Sequence, residues 1–168
     1  MTGRNEIPVA ATPELPSRTF TPPTDGETID VGGKIYRMGK LVGHGAFRQV
    51  YDCTDEWDNE LVAKVLLPRN RPYEEIKEHF NRETQRLIAL RHPNVTFMHN
   101  AFECRDTFYV ILERCHLTLS DVINFPQLNP DLWIKQIARD VLQAVEYIHV
   151  NGYVHKDIHP GNVFASLA

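Results

Sequence analysis

Asp157 and Asn162 are the residues of this chain best placed to do chemistry together. They stand five positions apart in His155-Lys156-Asp157-Ile158-His159-Pro160-Gly161-Asn162, on what reads as a loop after a long helix. A carboxylate that orients or deprotonates a hydroxyl, beside an amide oxygen that holds a metal ion, is an arrangement suited to phosphoryl transfer. Two further charges point the same way. Lys64 interrupts the apolar run Leu61-Val62-Ala63-Lys64-Val65-Leu66-Leu67. Glu83 is the single charge on a stripe formed by Ile76, Phe80, Glu83, Leu87 and Leu90. A lone charge on a core face costs several kcal/mol, so a strand cation and a helix anion gain by pairing. The pair also fixes a cation for another anion. The alternative is that Lys64 snorkels to solvent from an edge strand and Glu83 lies at the margin of its stripe.

The turn Leu41-Val42-Gly43-His44-Gly45-Ala46-Phe47-Arg48-Gln49-Val50 lies between two strand patterns, and Gly43 precedes Lys64 by 21 residues. Glycines there let backbone N–H groups approach phosphate oxygens without side-chain obstruction, and Phe47 at the tip is placed to fold over a ligand. The turn does not open a helix, so the dinucleotide fingerprint and the P-loop fit poorly.

Elements must hold these groups in place. Val31-Gly32-Gly33-Lys34 reads as a hairpin turn. Strands are expected at 36–42, 49–53 and 61–67, with Asp55-Glu56-Trp57-Asp58-Asn59 as a second turn. Pro72, Glu74 and Glu75 suit a first helical turn, and that helix is expected to run to Arg91, before Pro93. A strand pair follows at 96–103 and 107–112, then a short helix near 120–123. Ile134, Ile137, Val141, Val145 and Ile148 predict a long amphipathic helix over 132–150, closed by Gly152. Ahead of all this, Pro8, Pro13, Pro16, Pro22 and Pro23 lie among Thr, Ser and Glu with Phe20 as the only aromatic, which reads as a flexible tail.

The 168 residues, 42% hydrophobic and 24% charged, fit one globular domain. A net charge of −4 argues against a nucleic-acid partner, and no apolar run approaches the ~18 residues of a membrane span. Cys53, Cys104 and Cys115 have neither metal-ligand nor disulfide spacing, which suits free thiols in a reducing cytoplasm.

Taken in order, these motifs resemble the eukaryotic-type protein kinase family, Ser/Thr-like, over roughly residues 36–168. Val62-Ala63-Lys64 is similar to that family's lysine strand, with the alanine displaced by one, and His92-Pro93-Asn94-Val95 to the stretch after its helix. The resemblance implies an α+β, protein-kinase-like fold: an N-lobe antiparallel sheet with one helix, then the start of a helical C-lobe. The tail would span 1–27, the N-lobe 28–113, and the hinge with a partial C-lobe 114–168. It implies ATP and Mg2+ as cofactors and a protein substrate. Leu41, Gly43, His44, Gly45, Ala46, Phe47, Val50, Val62 and Lys64 would bind ATP, together with the backbone of Glu113 and Cys115 and the floor residue Phe164. Asp157, Lys64, Glu83 and His159 would be catalytic, and Asn162 would bind the metal. Pro160 fits the Ser/Thr-type loop.

Four positions depart from the family pattern. Arg48 replaces a loop glycine, Lys156 an arginine that often holds a phosphorylated segment, His159 a phosphate-contacting lysine, and Phe164 a smaller residue under adenine. Asp157-Ile158-His159-Pro160-Gly161-Asn162 also resembles the catalytic loop of aminoglycoside and choline kinases. A small-molecule phosphotransferase therefore stands as an alternative, as does a non-catalytic kinase-like interaction module. No Asp-Phe-Gly occurs in the sequence. The expectation is of weak or absent catalysis by these residues alone, and of an exposed apolar face along 132–150 that seeks a partner.

Overall fold

The computed structural model describes residue 18, residues 20–125 and residues 129–165. Most of the tail, 1–17 with 19, lies outside the described residues. Six strands form one antiparallel sheet: β1 Thr28–Val31, β2 Lys34–His44, β3 Arg48–Thr54, β4 Glu60–Leu66, β5 Met98–Cys104 and β6 Thr107–Glu113. Their order is β1-β2-β3-β4-β6-β5. The β1–β2 hairpin turns on Gly32 and Gly33, at φ 61° and 89°, and Val31 pairs with Lys34 across it. Two consecutive positive-φ residues make the turn whose twist matches the strands, and glycine takes that conformation without a Cβ penalty.

Side-chain alternation splits the sheet into two apolar faces. Tyr36, Met38, Tyr51, Cys53, Ala63, Val65, Tyr109 and Ile111 form one cluster. Leu66, Phe108 and Val110 form the other with Ile76 and Phe80, which come from helix α1 (Tyr73–Ala89). Lys64 pairs in register with Val50 on one side and Val110 on the other, so it shares this second face. Because β4 is flanked by β3 and β6, the edge-strand alternative for Lys64 does not hold.

Helix α1 ends at Ala89, two residues before the expected Arg91. The residue ahead of a proline is pushed out of the helical region, and the Arg91 N–H is taken by the Tyr147 hydroxyl at 3.1 Å. Strand β5 likewise starts at Met98 and not at Thr96, since the Phe97 N–H turns to Glu113 Oε1 at 2.7 Å. The short helix α2 (Leu119–Ile123) opens on a capping box between Thr118 and Asp121. Helix α3 (Pro130–Val150) starts earlier than expected because the Asn129 side chain caps Asp131 N–H at 3.0 Å and Pro130 occupies the first turn. It closes as predicted: Gly152, at φ 81°, donates to the His149 carbonyl while Tyr153 N–H reaches Ile148. Ile137, Val141, Ala144, Val145 and Ile148 face a cavity, while Ile134, Leu142 and Val150 stand exposed. None of the described helices is long and apolar enough to cross a membrane.

The tail boundary expected at residue 27 needs correction. Phe20 packs on the second cluster, with its ring centroid 6.4 Å from both Tyr73 and Phe108. Thr21 N–H donates to Thr107 Oγ1 at 2.8 Å, Pro23 is buried, and Glu27 pairs with Arg105. The sequence pattern missed this because one aromatic has no period; its partners come from α1 and β6.

Candidate functional site

Lys64 Nζ donates to Glu83 Oε1, and both side chains are largely shielded, at 15% and 21% exposure. Ile76 and Phe80 anchor α1 on the sheet, and Glu83 projects from the margin of that stripe; Thr84 beside it is buried in its place. Thr84 satisfies its hydroxyl on the Phe80 carbonyl at 3.0 Å, so a polar residue sits there without cost in unmade bonds. His79 lies one turn before Glu83 with its Nδ1 4.0 Å from Glu83 Oε2. Burial holds the His79 pKa below its ordinary value; Glu83 works against that shift, and Arg71, Lys64 and Arg82 add to it.

Val62 lies two residues before Lys64 and so shares its face, while Ala63 is wholly buried on the other. The alanine displaced by one position is thus a core residue of the opposite face, and Val62 is the side chain on the face that carries Lys64. Leu112 is paired with Val62, and Asp52 with Val62 from the opposite side.

The glycine turn joins β2 to β3, with Gly43 opposite Val50 and the Gly45 N–H donating to the Arg48 carbonyl at 2.8 Å. A Cβ on Gly43 would meet Val50 at 3.6 Å and one on Gly45 would meet Arg48 at 3.4 Å, both tolerable contacts. The turn itself therefore does not demand glycine on steric grounds. Leu41, His44, Ala46 and Phe47 are exposed around it. Phe47 does not fold inward: the Arg71 guanidinium lies 4.6 Å from its ring centroid, and its carbonyl accepts from Leu67 N–H at 3.0 Å.

After β6 the chain passes through Glu113 and Cys115. Glu113 N–H is used by the Phe97 carbonyl at 3.0 Å, whereas the Cys115 N–H has no hydrogen-bond partner among the described residues. Burial, then the Glu113 charge, pushes the Cys115 thiol pKa up. A two-stranded ladder that the sequence did not reveal, β7 (Leu117–Thr118) with β8 (Phe164–Ala165), follows. It places the half-exposed Phe164 opposite Thr118. Leu119 N–H donates to the Val163 carbonyl at 2.7 Å, so the segment after Asn162 is tied to the chain just past Cys115.

Asp157 and Asn162 meet directly. Asn162 Nδ2 donates to the Asp157 carbonyl at 2.9 Å and to its Oδ2 at 2.8 Å. Committing the amide nitrogen turns the Asn162 carbonyl oxygen the other way, where it suits a hard cation that takes oxygen ligands. His159 Nδ1 accepts from Gly161 N–H at 3.1 Å, which puts the ring proton on Nε2, 3.8 Å from Asp157 Oδ1. A Cβ on Gly161 would lie 3.0 Å from the His159 ring, a tight contact from which the ring would have to shift. His155 Nδ1 accepts from the Asp157 N–H at 3.3 Å, and Lys156 between them takes φ 66°. The expected residues thus gather into two groups, Lys64 with Glu83 and Asp157 with His159 and Asn162. A cavity of about 580 Å³ reaches Glu113, Cys115, Asn162 and Phe164 but neither Lys64 nor the glycine turn. Among the described residues no group of three or more His, Cys, Asp or Glu side chains converges as a metal site.

The family model for the protein kinase domain matches residues 36–167. The chain is 31% identical over 134 residues to the mouse inactive serine/threonine-protein kinase PLK5, covering 79% of this chain and 22% of that protein. It is 26% identical over 160 residues to mouse serine/threonine-protein kinase PLK2, covering 93% and 22%. With Drosophila melanogaster serine/threonine-protein kinase fused it shares 30% over 129 residues, covering 76% and 16%. The chain therefore spans about a fifth of the length of the curated relatives it matches. With the family matched across both groups of residues and an N-lobe sheet to carry them, the chain belongs to the protein kinase family.

Proposed function

We propose that this chain carries the ATP-binding and catalytic-loop portion of a protein kinase acting on Ser or Thr hydroxyls. The observation that carries this is the conjunction of an anchored cation, Lys64 on Glu83, with a carboxylate and amide clasped together, Asp157 on Asn162. In this reading Lys64 neutralises the α and β phosphates, and the turn Gly43–Phe47 covers them. Val62, Val50 and Leu41 line the roof over adenine and Phe164 its floor. The Glu113 carbonyl and the Cys115 N–H bond the adenine edge. Mg2+ held by Asn162 supplies charge neutralisation at the phosphates.

Asp157 orients the acceptor hydroxyl. The hydroxyl oxygen bonds to the γ-phosphorus as the bond to the bridging β–γ oxygen breaks. The hydroxyl proton passes to the Asp157 carboxylate and ADP leaves. His159 accepts from the Gly161 N–H and holds its Nε2 3.8 Å from Asp157 Oδ1, so it steadies the loop around Asp157 from an exposed position. The three free thiols Cys53, Cys104 and Cys115 suit a cytoplasmic setting.

A non-catalytic role is the second reading, and the likeness to a relative described as inactive favours it. Incubating the whole protein with γ-labelled ATP, Mg2+ and a Ser/Thr peptide library separates the two. Label on the peptides, lost on Asp157→Asn, supports transfer. Binding of ATP with no label on any peptide supports the non-catalytic role. Label on aminoglycosides or choline in place of peptides would move the protein to small-molecule phosphotransfer.

A further inference from the structure

Arg114 and Asp52 form an ion pair that joins two parts of the nucleotide site far apart in sequence. Asp52 lies on β3, two residues past Val50, and it is paired with Val62. Arg114 is the residue between Glu113 and Cys115, and Leu112 just before them is paired with Val62 from the other side. The guanidinium therefore spans the start of β4 to reach the roof strand. The Asp52 Oδ1 atom is shut off from solvent, and the two side chains are only 36% and 30% exposed. The room for this carboxylate is built in: β2 shifts register between Met38 and Leu41, and a Cβ on Gly39 would lie 3.1 Å from Asp52 Cβ. A second, looser bridge follows, with His116 Nε2 3.7 Å from Glu60 Oε2 at the start of β4.

We infer that Asp52 and Arg114 are positioning residues that set the spacing between the roof strand β3 and the hinge at Cys115, and thereby tune adenine-nucleotide affinity. The inference rests on the nucleotide-binding reading. Neither side chain touches the ligand. The pair is partly shielded from solvent, and it constrains a segment whose Cys115 N–H has no hydrogen-bond partner among the described residues.

The test is Mg-ATP and Mg-ADP titration of the whole protein and its Asp52→Asn, Arg114→Met, Arg114→Lys and doubly substituted Asp52→Asn/Arg114→Met variants. Amide hydrogen exchange at residues 113–116 is followed without nucleotide. Each neutralising single substitution is expected to weaken binding about tenfold and to speed hinge exchange, with the double variant no worse than either single, as expected of one coupled pair. Arg114→Lys should recover most of the affinity. Unchanged affinity and unchanged hinge exchange would overturn the inference, and so would losses that simply multiply in the double variant. If the unsubstituted protein binds no nucleotide, the nucleotide reading falls. Hinge exchange then decides alone, and equal rates in all variants would overturn the clamp.

Discussion

Lys64 had two readings in the sequence, and topology decided between them. A lysine in an apolar strand is compatible with a snorkelling edge residue until the order of strands is known, and β4 turns out to be internal. Its partner was legible because helical spacing put Glu83 among apolar residues; the buried Thr84 beside it was not, since its hydroxyl is satisfied by its own helix. Replacing Lys64 with Met should lower Mg-ATP affinity by about tenfold or more, measured by titration calorimetry, since one charge-assisted contact to phosphate is removed. Unaltered affinity would show that the Lys64–Glu83 pair serves packing alone. The Asp157–Asn162 contact was predicted as a pairing of roles, and its geometry came only from the fold. The placement of His159 beside Asp157 had no signal in the sequence, because it depends on the hydrogen bond its ring accepts from the Gly161 N–H.

Elements were read better than their ends. Five of the six strands, α1 and α3 were expected from apolar patterning, and the Gly32-Gly33 turn and the Gly152 cap from backbone chemistry; β1 was implied only by its turn. Boundaries slipped where a side chain competes for a backbone N–H, as Glu113 does at Phe97 and Tyr147 does at Arg91. The β7–β8 ladder is two residues a side, too short for any period. Two substitutions test the elements as described. Gly152→Ala should destabilise the domain by about 1 kcal/mol in urea unfolding, because a Cβ is disfavoured at its positive φ. Phe20→Ala should cost about 2 kcal/mol, from lost burial against Tyr73 and Phe108. A Phe20→Ala protein as stable as its parent would return that stretch to the tail.

The described residues form an N-lobe sheet with a packed face on either side, joined through residues 113–116 to α3 and the Asp157–Asn162 loop. One consequence reaches across the fold. Burial pushes the Cys53 thiol from its ordinary 9.0 to about 12, and the Tyr109 hydroxyl from 10.0 to about 12. Both groups are neutral in the folded state and ionise first in the unfolded chain, so protons favour the native form. Stability should therefore be complete below pH 9 and fall as pH climbs from about 9 towards 12, the window over which these two groups differ between the folded and unfolded chain. Thermal melts of the parent and a Cys53→Ala variant should differ in alkaline slope; equal slopes would show that Cys53 does not carry the effect.

The central claim, phosphoryl transfer through Asp157, is tested most directly by the single-turnover rate of label transfer from γ-labelled Mg-ATP to a Ser/Thr peptide. The whole protein is compared with its Asp157→Asn variant at saturating nucleotide. The predicted result is measurable transfer by the parent and a rate roughly 100-fold lower or less in the variant, with ATP affinity kept, as expected when a hydroxyl-orienting carboxylate is removed. Equal rates in the two proteins, or ATP binding with no transfer by the parent, would contradict it.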